Sequence, residues 1–210
     1  MNPLRLAVLA SHGGSNMQAI MDRIAGGTLA ARIVLVVSNN STSGAFERAA
    51  RAGLARLHLS GATHPGPGEL DEAMARALAE AGAELIALAG FMKPIGPRTL
   101  AQFADRIVNI HPALLPKHGG AGMYGIRPHE AVLAAGESES GATVHVVNAE
   151  YDRGPILRQR RVPVLPGDTA QTLQARVLEV EHQIYSEVIA DLAAGRIPLP
   201  IPAHYRMPAE

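Results

Sequence analysis

Asn109 and His111 stand two residues apart in the segment Asn-Ile-His-Pro-Ala-Leu-Leu-Pro. Residues spaced by two on a strand point to the same face, so an amide and an imidazole would share one side of the chain. Such a pair suits acyl chemistry. The amide can donate to a developing oxyanion, and the imidazole exchanges protons near neutral pH. A third group, Asp152, lies in Tyr-Asp-Arg-Gly-Pro, a turn sequence between two β-type runs. An aspartate there ordinarily bonds its own turn backbone; beside His111 it would favour the imidazolium and raise the histidine pKa. His145 alternates with Val144 and Val146 and so faces away from them, either toward these groups or into a polar niche of its own.

A second feature is Ser11-His12-Gly13-Gly14-Ser15-Asn16, placed after an aliphatic run and before a helical pattern. Glycines allow a sharp turn, and the helix start that follows aims free N–H groups and positive dipole at an anion. A phosphate fits there, although the bland alternative is a tight turn with Ser15 or Asn16 as helix cap. The pattern is neither GxGxxG nor a P-loop with its lysine, which argues against a dinucleotide or a triphosphate. His58, His64, His182 and His204 show no ligand spacing, and no metal site is expected.

The elements that must position these groups alternate. Strands are expected at 6–10, 33–38, 57–59, 85–88 and 107–110, with helices at 16–24, 44–52 and 69–81. Strand, helix, strand in repetition argues an α/β parallel sheet with right-handed crossovers. The stretch 117–125 holds four glycines and is expected to be a loop. Strands at 143–147 and 156–164 joined by a turn suggest antiparallel pairing. Asp168 is expected to cap a last helix over 170–194, ended by Gly195. A proline-bearing tail with Pro198, Pro200, Pro202 and Pro208 follows.

Composition narrows the class. With 210 residues, three Phe and no Trp, the core must be aliphatic, as suits helices on a parallel sheet. Nineteen basic and nineteen acidic residues cancel, unlike the basic footprint of a nucleic-acid binder. The absence of cysteine excludes disulfides and thiolate metal sites. The apolar run at 6–10 is short of the roughly 7–15 residues of a signal core, and nothing approaches the ~18 of a membrane span. A cytoplasmic protein with no membrane partner is expected.

Six segments in order, GGSNMQAI (13–20), LAGFM (88–92), NIHPALLPK (109–117), GATVHVV (141–147), YDRGPIL (151–157) and EHQIY (181–185), resemble the phosphoribosylglycinamide formyltransferase family over nearly the whole chain. The resemblance implies a Rossmann-like formyltransferase fold: a mostly parallel sheet with helices on both faces and an antiparallel C-terminal part. It implies one domain over 1–210, with a phosphate-binding half (1–105), a catalytic and folate-binding half (106–195) and a tail (196–210). The implied reaction moves the formyl group of 10-formyltetrahydrofolate to the amine of N1-(5-phosphoribosyl)glycinamide, in de novo purine biosynthesis. By resemblance the catalytic residues are Asn109, His111 and Asp152. Gly13, Gly14, Ser15, Asn16 and Glu181 would hold the ribonucleotide, and Met92, Lys93, Pro94, Ile95 and Asn109 the folate. The implied cosubstrate is 10-formyltetrahydrofolate without a metal, and the partners are small molecules only.

Two positions depart from the family pattern. Relatives commonly carry arginine where this chain has Lys93, followed by Pro94. The folate-contacting arginine that precedes the third helix in many relatives has no counterpart in the Gly- and Pro-rich stretch 61–68. Methionyl-tRNA formyltransferase shares the Asn-x-His core but has a different loop after its LLP motif and an RNA-binding domain. Formyltetrahydrofolate hydrolase and sugar-nucleotide formyltransferases also resemble the chain.

Overall fold

In a computed structural model, which describes residues 2–205, β1 spans Leu4–Leu9 and its inner residues Leu6 to Leu9 are fully buried. A strand covered on both sides must be apolar at successive positions, because alternate side chains enter opposite layers. Leu6 and Val8 pack into one layer, and Ala7 and Leu9 into the other. Parallel β2 (Ala31–Ser38), β3 (Arg56–His58), β4 (Leu85–Leu88) and β5 (Ile107–His111) extend the sheet. Then β6 (Glu139–Val146) and β7 (Ile156–Pro163) add antiparallel strands. Among the described residues the spatial order is β3-β2-β1-β4-β5-β6-β7. This is the Rossmann-like sheet with an antiparallel end that the sequence led us to expect.

Helices cover both faces. α1 (Ser15–Ala25), α2 (Gly44–Arg51), α5 (Arg127–Ala134) and α6 (Ala170–Ala193) build one apolar layer through Met17, Ile20, Ala45, Val132, Leu173 and Ile184. α3 (Glu69–Glu80) covers the other face through Met74 and Leu78, joined by Phe103 at the end of α4 (Pro97–Gln102). The chain leaves β1 toward β2 on one side, while β4 and β5 lie on the other. The crevice at the carboxyl ends of β1 and β4 is therefore the topological switch point, where open α/β sheets bind ligands.

Two details differ from the sequence reading. α4 and α5 were not anticipated, and α6 is capped by Thr169 rather than Asp168. The Thr169 hydroxyl accepts from the Thr172 amide at 3.2 Å, and the Thr172 hydroxyl accepts from the Thr169 amide at 2.9 Å, a reciprocal capping box. Asp168 is one residue too early, and Arg176 grips it with two hydrogen bonds of 2.7 and 2.9 Å. α6 is pinned to the sheet from within: buried Tyr185 sets its hydroxyl 3.0 Å from both the Leu88 and Val108 carbonyls. That contact ties the helix to β4 and β5 just below the switch point. Of the expected tail, residues 206–210 lie outside the described residues.

Candidate active site

A cavity of about 950 Å³ opens at the switch point, within the size range of small-molecule sites. All the residues expected to act or bind line it: Asn109, His111 and Asp152, Gly13 to Asn16 with Glu181, and Met92 to Ile95.

At the β1 end, Gly14 begins α1 in the left-handed region with φ 73°, and no side chain caps the helix. The helix start is thus capped by neither Ser15 nor Asn16, contrary to the bland alternative. A Cβ on Gly14 would meet the Ala45 Cα at 2.8 Å, whereas one on Gly13 would meet nothing within 4 Å. Glycine at 14 therefore serves the α1–α2 junction, and the open approach for a ligand is over Gly13. Arg48 fastens this loop, donating to the Gly13 carbonyl at 2.9 Å and to Gln18 at 2.9 Å. Asn16 donates its amide to Glu181 at 2.8 Å, while its own Oδ1 is buried without a partner. Burial pushes the Glu181 carboxyl up to about 7, against the opposing effect of the Asn16 hydrogen bond.

At the β5 end, Asn109 and His145 are opposite residues of the antiparallel pair. The Asn109 amide nitrogen lies 3.1 Å from His145 Nε2, and Asp152 Oδ1 lies 3.3 Å from the same atom. His145 Nδ1 donates to the Val146 carbonyl at 2.9 Å. Its free edge is thereby set between the amide and the carboxylate. The neutral ring accepts from Asn109, and the charged ring donates to Asp152. Of the two options the sequence left for His145, the structure selects the site.

Asp152 reaches this position from a turn residue with φ 55°, a conformation aspartate tolerates better than most. Its Oδ2 accepts from the Gly120 amide at 2.8 Å and lies 3.6 Å from His111 Nδ1. Burial opposes its ionisation. The His145 hydrogen bond, His111 and the Gly120 amide outweigh that and hold its pKa below the usual carboxylate value.

His111 is buried, and its Nε2 donates to the His118 carbonyl at 2.9 Å. Proximity to Asp152 was expected to raise its pKa. The proximity is there, yet the pKa is lowered, because desolvation outweighs Asp152 and the His118 carbonyl, and the neighbouring His145 and His118 rings lower it further. A third histidine, His129 on α5, also lines the cavity and is held neutral, its pKa lowered to about 4 by burial first and His111 second. The sequence reading missed His118, Gly120 and His129. The first two act through backbone atoms, which carry no residue-type signal. His129 could have been found only by recognising α5.

The stretch Met92–Ile95, expected to hold the folate, follows β4. The Met92 amide donates to the Ser11 hydroxyl at 2.8 Å, tying the two sides of the crevice together. Phe91, Met92, Ile95, Leu100 and Val147 give this end of the cavity an apolar lining, with exposed Lys93 at its rim. Exposed Tyr124 and Tyr151 stand on the loops that close it.

This switch-point cavity, with an Asn–His–Asp cluster at one strand end and a Gly-turn helix start at the other, is carried by a chain whose family the comparisons show. The model of the formyl transferase family matches residues 4–189, and the chain belongs to that family. Within it, the chain is similar to phosphoribosylglycinamide formyltransferase of Haemophilus influenzae, at 37% identity over 93% of this chain and 90% of that protein. The chloroplastic phosphoribosylglycinamide formyltransferase of Arabidopsis thaliana is 41% identical over 92% of this chain, which spans 66% of that protein's length. Among solved structures, glycinamide ribonucleotide transformylase 1 of Symbiobacterium toebii superposes with a TM-score of 0.87. It shares 40% identity, covering 93% of this chain and 90% of that one.

Proposed function

We propose that the chain transfers the formyl group of 10-formyltetrahydrofolate to the amine of N1-(5-phosphoribosyl)glycinamide, giving formylglycinamide ribonucleotide and tetrahydrofolate. The observation that carries this reading is the three-way contact of Asn109, His145 and Asp152, with His111 3.6 Å from the carboxylate, inside one cavity. Those groups match what acyl transfer to an amine requires: an oxyanion donor, a proton carrier and a fixed negative charge. The names of the relatives support the choice of substrates.

In this mechanism the ribonucleotide lays its phosphate over Gly13 to Asn16, and Glu181 with Asn16 receives its polar groups. The folate lies along Met92 to Ile95, with its pterin toward the turn that leads to Asp152. His111 begins neutral, since burial lowers its pKa. The neutral amine attacks the formyl carbon, and negative charge gathers on the formyl oxygen. Asn109 has two amide hydrogens; with one turned to His145, the other donates to that oxygen. His111 takes the proton released by the amine, directly or through water, and becomes an imidazolium beside Asp152. Collapse of the tetrahedral intermediate breaks the bond to the folate nitrogen, and His111 returns the proton to that nitrogen. Each proton that leaves the amine is thus accounted for on tetrahydrofolate.

The experiment is direct. Mixing the protein with the ribonucleotide and 10-formyltetrahydrofolate should release tetrahydrofolate in step with formylated product. Tetrahydrofolate appearing together with free formate, and independently of the ribonucleotide, would replace this reading with hydrolysis.

A further inference from the structure

The imidazole of His111 is held from behind. Its Nε2 proton goes to the carbonyl of His118, and the amide two residues later, on Gly120, binds Asp152. One short segment therefore sets the orientation of both groups. His118 itself has φ 54°, an uncommon backbone conformation for a non-glycine residue.

Glu137, in the turn between α5 and β6, meets this segment from its other side. Lys117 Nζ sits 2.9 and 3.0 Å from the two carboxylate oxygens of Glu137. His118 Nε2, buried without a hydrogen-bond partner, lies 3.6 Å from one of the same oxygens. These side chains line a second cavity of about 270 Å³, separate from the catalytic one and on the far side of the 117–120 segment. Glu137 touches neither proposed substrate pocket nor any reacting group. Its carboxylate is only partly exposed, at 28%, while Lys117 is largely in solvent at 66%.

We propose that Glu137 is a positioning residue for His111: by gripping Lys117 and His118 it keeps the His118 carbonyl on His111 Nε2. That hydrogen bond commits the ring to one tautomer, with Nε2 protonated and Nδ1, the nitrogen facing Asp152, free to exchange the proton. The carbonyl also favours the charged ring. Four other groups act on His111 at the same time: Asp152 from the turn after β6, His145 from β6, the ring of His118, and His129 from α5. None of them replaces the carbonyl at Nε2.

The kinetic part of the test rests on the formyl-transfer reading, and the spectroscopic part does not. Ring-15N-labelled histidine in the ligand-free protein, with the His111 signals assigned by His111→Gln, reports both tautomer and titration. Glu137→Ala should convert His111 from a single Nε2–H tautomer to an averaged pair of signals and move its titration to lower pH. In transfer assays it should lower kcat about three- to tenfold, the effect of one misplaced hydrogen bond, with the ribonucleotide KM unchanged. Glu137→Asp should recover part of both effects. If Glu137→Ala does not fold, Lys117→Met, at an exposed position, breaks the tighter half of the clamp and should give the same changes in smaller measure. Wild-type His111 signals in these variants would overturn the proposal, whether or not the protein transfers formyl groups. Wild-type protein without transfer activity would instead sink the functional reading and leave the spectroscopic result to stand.

Discussion

Glu181→Gln separates what the fold wants at this position from what a ligand would want. The carboxyl is buried, with a single hydrogen bond from Asn16, and its pKa is raised from 4.5 to about 7. Ionising it inside the protein is therefore harder than in the unfolded chain by about 3 kcal/mol, at about 1.4 kcal/mol per pH unit. The direction follows from proton counting. Below the unfolded pKa both states carry the proton, and the group costs nothing. Between the unfolded and folded values the unfolded chain releases its proton first, and stability falls with rising pH. Above about 7 the full penalty is in place.

Glutamine removes that penalty and keeps the shape. Its carbonyl can accept from Asn16, and its amide can donate to the buried Asn16 Oδ1 that now lacks a partner. Urea unfolding at pH 5, 6, 7 and 8 should show Glu181→Gln gaining on the wild type as pH rises, by up to about 3 kcal/mol at pH 8. In a chain of this length that corresponds to a melting temperature higher by roughly 6–12 °C. Ribonucleotide affinity should fall in the same variant, because a neutral amide replaces a group able to carry charge and accept through both oxygens. A stability difference that stays flat across this range, or a variant less stable than the wild type at pH 8, would refute the account. Either result would mean that the carboxylate is compensated inside the protein by charge that the Asn16 contact does not represent.

Three other outcomes follow from the site. His111→Ala or Asp152→Asn should each lower turnover by roughly 10² or more, the scale of general acid–base catalysis; single-turnover kinetics of the double variant should show little further loss, since the pair acts as a unit. Gly14→Ala should destabilise the protein through the Ala45 clash and the positive φ, whereas Gly13→Ala should fold normally and weaken only ribonucleotide binding; equal melting temperatures for the two would be inconsistent with the packing described. Lys93→Ala should raise the folate KM less than about tenfold with kcat nearly unchanged, an effect that salt screens, as expected of an exposed single charge in place of a forked arginine.

The parts of the fold legible from sequence are those where burial demands a composition. β4, Leu-Ile-Ala-Leu, is covered on both faces, so aliphatic continuity marks its limits. α4 has only six residues, too few for a helical period to show, and its start is set by Pro97 together with hydrogen bonds from the Arg98 and Thr99 amides to Asp71. α5 follows directly on a glycine-rich run and has Pro128 in its first turn, so the sequence around it carries loop signals. β6 begins four residues before the expected position 143, at Glu139. The reason is Gly141: a side chain there would run into the Arg160 carbonyl of β7, so a residue that weakens strand propensity is required by close pairing.

The site divides along a similar line. Asn109, His111 and Asp152 were visible because the proposed chemistry calls on their side chains, and such chemistry restricts the residue type. What orients them is of another kind. The His118 carbonyl and the Gly120 amide exist at every non-proline residue, and only the chain path brings them to His111 and Asp152. His145 falls between the two cases: strand alternation told which way it points relative to its neighbours, but its meaning came from register, which sets it opposite Asn109 across β5 and β6. A slip of one residue in that pairing would turn His145 to the other face and leave Asn109 and Asp152 without the ring between them. The antiparallel β5–β6 register is therefore as much a determinant of this chemistry as any of the side chains it aligns.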